Sequence, residues 1–215
     1  MIFLLDGGET EDFHHITGLA RINAAWGQGQ EVIVVGIEGV DRRRDLTFPS
    51  SVEADRKLLP TSGGAARYRR FLVEELAPWV EQRWRTSGRK ALMGESLAGL
   101  FTAQTLVETP EAFDDYVVVS PSLWWSDGAL ADRAAAALAH ANLAGRRVFV
   151  AFDEPAPPAD TAARERALQD RFAAALATRS DLAAIVVRPR EGHGSIYHPA
   201  AMLAFRRFFG AGPAR

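Results

Sequence analysis

Six short runs of apolar residues, most of them β-branched, constrain this chain more than any other feature, because a stretch with helical periodicity lies between each run and the next. The runs are Ile2–Leu5, Val32–Val35, Ala91–Met93, Tyr116–Val119, Val148–Phe152 and Ala184–Val187. Continuous apolar character over so few residues is what strands buried on both faces show, whereas half-solvated strands alternate with a period of two. Helices are predicted at Phe13–Trp26, Leu97–Val107, Gly128–Ala141, Asp160–Ala177 and Pro199–Phe209. A longer one runs from Gly64 through ARYRRFLVEELAPWVEQRW, where Tyr68, Phe71, Leu72, Leu76, Trp79 and Val80 fall on one face. Pro78 is predicted to bend it. Strand then helix, repeated along the chain, predicts an α/β fold with a mostly parallel sheet covered by helices on both faces.

The 215 residues are enough for one domain with a sizeable core. No domain linker or solenoid-type repeat interrupts residues 1–210, and the tail AGPAR (211–215) is expected to be disordered. A net charge of −2 excludes a general nucleic-acid binder, which needs a concentrated basic face. The compact basic cluster Arg42-Arg43-Arg44 is either a solvated loop or an attractor of anionic substrate. Without cysteine there is no disulfide, no thiolate zinc site and no cysteine nucleophile. The start MIFLLDGG has too short an apolar run for a signal peptide, and nothing later approaches the roughly 20 apolar residues of a membrane span. The expectation is a cytoplasmic protein with no membrane partner.

Ligands of open parallel sheets bind beyond the carboxyl ends of the strands. Asp6-Gly7-Gly8 follows the first run, Gly94-Glu95-Ser96 the third, Ser120-Pro121-Ser122 the fourth and Asp153-Glu154 the fifth. Gly192-His193-Gly194 comes after the sixth. Serine, acid and histidine therefore occur in the chain order of α/β-hydrolases. A serine hydroxyl becomes a nucleophile when an imidazole can take its proton, and a carboxylate must hold that imidazole in one tautomer. GESLAG departs from the nucleophile elbow G-x-S-x-G at Ala98, and a chance match to the elbow is on the order of one chain in ten. The strand-to-helix position adds the weight. The bland alternative is Ser96 as a helix N-cap.

His193 is favoured as the base over His198, which is expected to brace a helix opened by Pro199. The acid is Asp153, Glu154 or Asp127, or the site is a Ser–His dyad. His14 and His15, with Glu11 and Asp12 nearby, suggest a metal site. Adjacent helical residues point about 100° apart, however, and no H-x-x-x-H spacing exists, so no metal is expected. His140 reads as a surface or boundary residue.

LLDGGETEDFHHITGL, VVGIEGVDRRRDLTFP, GGAARYRRFLVEELAPWVEQRW, GESLAGLFTAQTL, VVVSPSLWW and GHGSIYHPA together resemble the esterase D-like family of α/β-hydrolases, in its enterobactin-type siderophore esterase branch. The resemblance covers nearly the whole chain in order. It implies a serine carboxylic-ester hydrolase with no cofactor, acting on a small-molecule ester. It assigns Ser96 as nucleophile, His193 as base and Glu154 as preferred acid. Gly7, in the LLDG segment, and Leu97 become the oxyanion donors, Trp124 and Trp125 an aromatic wall, and Arg44 part of a substrate-side loop. Acyl transfer to an alcohol, and an inactive fold serving as a binding module, are the alternatives.

The family is expected to have an antiparallel entry hairpin that this chain lacks. Val32–Val35 would then form a sheet edge, and an apolar edge invites pairing with another chain. A shortened product of a longer protein, or a homodimer through that edge, is the expectation.

Overall fold

The structure, a computed structural model, describes residues 1–25 and 29–210; the predicted helix end at Trp26 and the tail 211–215 lie outside them. The strands are β1 (Ile2–Leu5), β2 (Val34–Ile37), β3 (Ala91–Glu95), β4 (Asp115–Val119), β5 (Arg147–Ala151) and β6 (Ala183–Val187). They form one six-stranded sheet in the order β2-β1-β3-β4-β5-β6, with every pairing parallel. β2 is an edge, as expected, but begins two residues later than its apolar run suggested.

Strand alternation sorts the core into two layers. Phe3, Leu5, Leu92, Tyr116, Val118, Val148 and Val150 face one side. There they meet α6 (Leu97–Glu108), α7 (Ala129–Ala139) and α8 (Ala159–Ala177). Ile2, Leu4, Ala91, Met93, Val117, Val119 and Phe149 face the other, against α1 (Phe13–Ala24) and α9 (Tyr197–Phe208). Both faces are therefore dry, which is why the strand sequences do not alternate with polar residues.

Between β2 and β3 lie the short helices α2 (Arg42–Asp45) and α3 (Glu53–Leu58), too short to carry a periodic apolar signal. The long predicted helix is α4 (Ala65–Arg70), a π-helical stretch (Phe71–Leu76) and α5 (Ala77–Arg83). Pro78 explains the π stretch: it has no N–H to donate and its ring crowds the carbonyl four residues back, so the preceding turn widens. α9 starts at Tyr197, placing Pro199 inside the first turn, where a missing N–H costs nothing. Among the described residues, no helix is long and apolar enough to cross a membrane.

Candidate active site

Ser96 lies between β3 and α6 with φ 60° and ψ −118°, a conformation sparsely populated for a residue with a side chain. Such a turn needs close approach on both sides. A Cβ on Gly94 would stand 2.6 Å from the Ala98 Cβ, and one on Gly99 would stand 2.5 Å from the Val119 carbonyl oxygen. The methyl of Ala98 fits because Gly94 lacks one. The glycine that the crossing with β4 requires is Gly99. The Ser96 N–H donates to Val119 O at 3.1 Å, and Ser96 O accepts from Leu100 N at 2.8 Å and Ser122 N at 3.0 Å, which fixes the turn.

His193 reaches the serine from the loop between β6 and α9. Its Nε2 is 3.1 Å from Ser96 Oγ. Its Nδ1 is 3.1 Å from Asp153 Oδ2 and 2.8 Å from Ser120 Oγ. Gln169, buried on α8, donates from Nε2 to the Asp153 carbonyl and to Oδ1, both at 3.2 Å, and so orients the carboxylate. Burial pushes the Asp153 carboxyl up, but the hydrogen bonds from His193 and Ser120 outweigh it and hold the group below its ordinary value. The Asp153 hydrogen bond raises His193 above 6.5, against desolvation. Serine hydroxyl, imidazole and carboxylate thus stand in one line.

Several expected residues stand elsewhere. Glu154 does not orient His193. The first side chain after β5, Asp153, points to the imidazole, while the Glu154 N–H is tied to Glu191 O at 2.8 Å and its side chain is exposed at the cleft. Asp127 is paired with Arg164 at the surface. Gly7 is not a free oxyanion donor, because its N–H extends the β1–β2 pairing to Ile37 O at 2.9 Å. The next N–H, of Gly8, donates to Glu11 Oε2 at 2.7 Å. Leu97 is the first residue of α6, where a helix leaves its N–H groups without an intrahelical acceptor, so its donor can face the serine.

Trp124 and Trp125 separate. Trp124 is half-buried in a cleft of about 250 Å³ shared with Ser120, Ser122, Glu165, Leu168 and His193. Trp125 is wholly buried and donates from Nε1 to Phe48 O at 2.8 Å, so it is core rather than wall. Arg44 is held by Asp45 at 2.7–2.8 Å and lines a separate hollow with Arg67, Tyr68 and Glu74, apart from that cleft. Its neighbour Arg42 makes a bidentate pair with Asp6, the residue after β1.

Ser120 is the site residue missed in the sequence. Its one sequence signal was the strand-end Ser-Pro-Ser; the positive φ of 40° that Ser120 adopts there is visible in the structure alone. Around α1, His15 Nε2 and His198 Nδ1 are 3.0 Å apart, while Glu11 is engaged with Gly8. Among the described residues, no group of three or more His, Cys, Asp or Glu is arranged to hold a metal ion.

Comparison with known proteins bears on this site. A family model described as "Putative esterase" matches residues 1–184. Ferri-bacillibactin esterase BesA of Bacillus subtilis is 32% identical over 142 residues, covering 59% of this chain and 48% of that protein. A siderophore enterobactin esterase of Emericella nidulans is 43% identical over 68 residues, 30% of this chain and 22% of that protein. The matches thus span less than half the length of these curated relatives. An IroE-like serine hydrolase from Shewanella oneidensis superposes with a TM-score of 0.85 at 25% identity, covering 97% of this chain and 69% of that one. A mostly parallel sheet, a strained serine at the strand-to-helix turn and a family match over most of the sequence agree: this chain belongs to the esterase family of α/β-hydrolases.

Proposed function

We propose that the chain is a serine carboxylic-ester hydrolase that works through an acyl-enzyme on Ser96. The observation that carries this reading is the line Ser96 Oγ–His193–Asp153, with 3.1 Å at each step. His193 Nε2 takes the hydroxyl proton as Ser96 attacks the ester carbonyl, and Asp153 stabilises the resulting imidazolium. The oxyanion forms against the Leu97 N–H, at the positive end of α6. His193 then protonates the leaving alcohol. In the second half it takes a proton from water, which releases the acid and restores Ser96.

The substrate proposed is a bulky or aromatic ester of the siderophore type. Its support is the open cleft with Trp124 and the relatives named for ferri-bacillibactin and enterobactin. The test is a panel of p-nitrophenyl esters and a catecholate trilactone against wild type, Ser96→Ala and His193→Ala. Turnover of the lactone by wild type alone supports the reading; turnover of simple esters but not the lactone removes the siderophore part. Added acceptor alcohols distinguish hydrolysis from acyl transfer by the product formed.

A homodimer through β2 is part of the proposal, supported by an edge strand whose Val34, Val35 and Ile37 are only half-buried. Light scattering reads it directly. The cytoplasmic location is tested by cell fractionation.

A further inference from the structure

Ser120 touches His193 and has no part in the chemistry above. It follows β4, and its N–H donates to Ala151 O at 2.7 Å, which fastens it beside the end of β5, just before Asp153. It is buried and holds a φ of 40°, a region sparsely populated for a residue with a side chain. The residue before a proline is normally extended, so with Pro121 next this turn stands against two local preferences. Backbone held in that way persists where its surroundings over-determine it, and such places cluster at functional sites.

The nitrogen that Ser120 meets is the one on which the ring's proton must sit. For His193 Nε2 to accept from Ser96, the neutral imidazole has to keep its hydrogen on Nδ1. Two acceptors stand within reach of that single N–H: Ser120 Oγ at 2.8 Å and Asp153 Oδ2 at 3.1 Å. The hydroxyl is the nearer. Accepting there leaves its own hydrogen for a carboxylate, and Asp153 takes a hydrogen bond from Ser120 as well as from His193. Imidazole, hydroxyl and carboxylate therefore satisfy one another.

We propose that Ser120 is a positioning residue for the hydrolysis: its hydroxyl oxygen accepts the Nδ1–H of His193 beside Asp153, and so keeps Nε2, 3.1 Å from Ser96 Oγ, the nitrogen without a proton. This rests on the hydrolase reading and deepens it. Asp153 supplies the charge that stabilises the imidazolium. Ser120 adds no charge; it supplies a second, neutral acceptor on the same N–H, which fixes the tautomer and the ring plane. The consequence is redundancy: when the carboxylate is removed, the tautomer comes to depend on Ser120.

The test is Ser120→Ala in wild type and in Asp153→Asn, read by nitrogen NMR of the neutral His193 ring and by kinetics on p-nitrophenyl acetate. In wild type Ser120→Ala lowers kcat about two- to tenfold with KM unchanged, the worth of one hydrogen bond. In Asp153→Asn the same change costs at least about threefold more than that, because two partners of one N–H are not additive. The fraction of ring carrying its proton on Nδ1 in Asp153→Asn falls when Ser120 is also replaced, and this decides the proposal. An unchanged fraction overturns it, even where kcat drops, since that is what a merely structural role gives. Ser120→Gly removes the same hydroxyl and is unstrained at positive φ, so it must act as Ser120→Ala does, and it stands in should the alanine variant fail to fold. Wild-type behaviour in Ser120→Gly overturns the proposal too. Failure of Ser96 to react with a fluorophosphonate would defeat the hydrolase reading and leave the tautomer measurement standing, so the two failures are distinguishable.

Discussion

At Ser96 the backbone holds φ 60° so that one hydroxyl can meet one imidazole at 3.1 Å. Ser96→Ala removes the nucleophile and is expected to lower kcat by about 10³-fold or more on any ester. The adjacent acids separate cleanly. Asp153→Asn leaves the ring without its orienting acceptor and should cost about 10²–10⁴ in kcat, whereas Glu154→Gln should stay within a few-fold. Steady-state kinetics on one chromogenic ester reads all three. The pH dependence follows from the direction at His193. In the proposed mechanism the neutral imidazole is the base, and its pKa is raised above 6.5, so activity is expected to fall as pH drops through that raised value. In Asp153→Asn the limb moves to lower pH. Ser96 was legible because it follows a buried strand in a near-elbow GESLAG, and His193 because it stands between two glycines in the loop before a helix. Asp153 and Glu154 were not separable, because which of two adjacent side chains turns inward depends on the last dihedrals of β5.

At the scale of elements, the elbow depends on two crossings. Gly99 passes Val119 O so closely that Gly99→Ala must push β3–α6 away from β4. It is expected to cost about 1–3 kcal/mol and to lower activity as well. Ala98→Gly gives up helix propensity and a buried methyl, costs about 1 kcal/mol and leaves the elbow closed. Urea midpoints for the two variants, with kcat alongside, check that order. The strands and long helices were readable because burial on two faces and on one face leaves different periods in the sequence. The π-helical stretch before Pro78 was not, since periodicity places a bend but not how the turn absorbs it. Nor was the separation of Trp124 from Trp125. A buried indole that finds a carbonyl on Phe48 is decided by a segment 77 residues away.

Over the whole molecule, the parallel sheet is fastened at the end opposite the site. Asp115, fully buried at the start of β4, accepts from Arg89 and Arg147 at 2.6–3.0 Å. Burial alone would raise its carboxyl, but the two guanidinium groups hold it below its ordinary value. Asp115 therefore stabilises the fold above its unfolded pKa of about 4, and the contribution is lost as pH falls through the folded pKa. Asp115→Asn leaves two cations short of a counter-charge and should cost about 3–5 kcal/mol at neutral pH. The deficit should shrink below about pH 4, as measured by urea unfolding. The general α/β plan was visible because it repeats, while this clamp joins residues from three segments and leaves no local pattern. The central claim, a reactive serine activated by His193 and Asp153, is tested most directly by fluorophosphonate labelling of the folded protein with peptide mass spectrometry. The account predicts one adduct, on Ser96, forming in step with loss of esterase activity and far more slowly in Asp153→Asn. Inactivation without an adduct on Ser96, or full ester hydrolysis by Ser96→Ala, would contradict it.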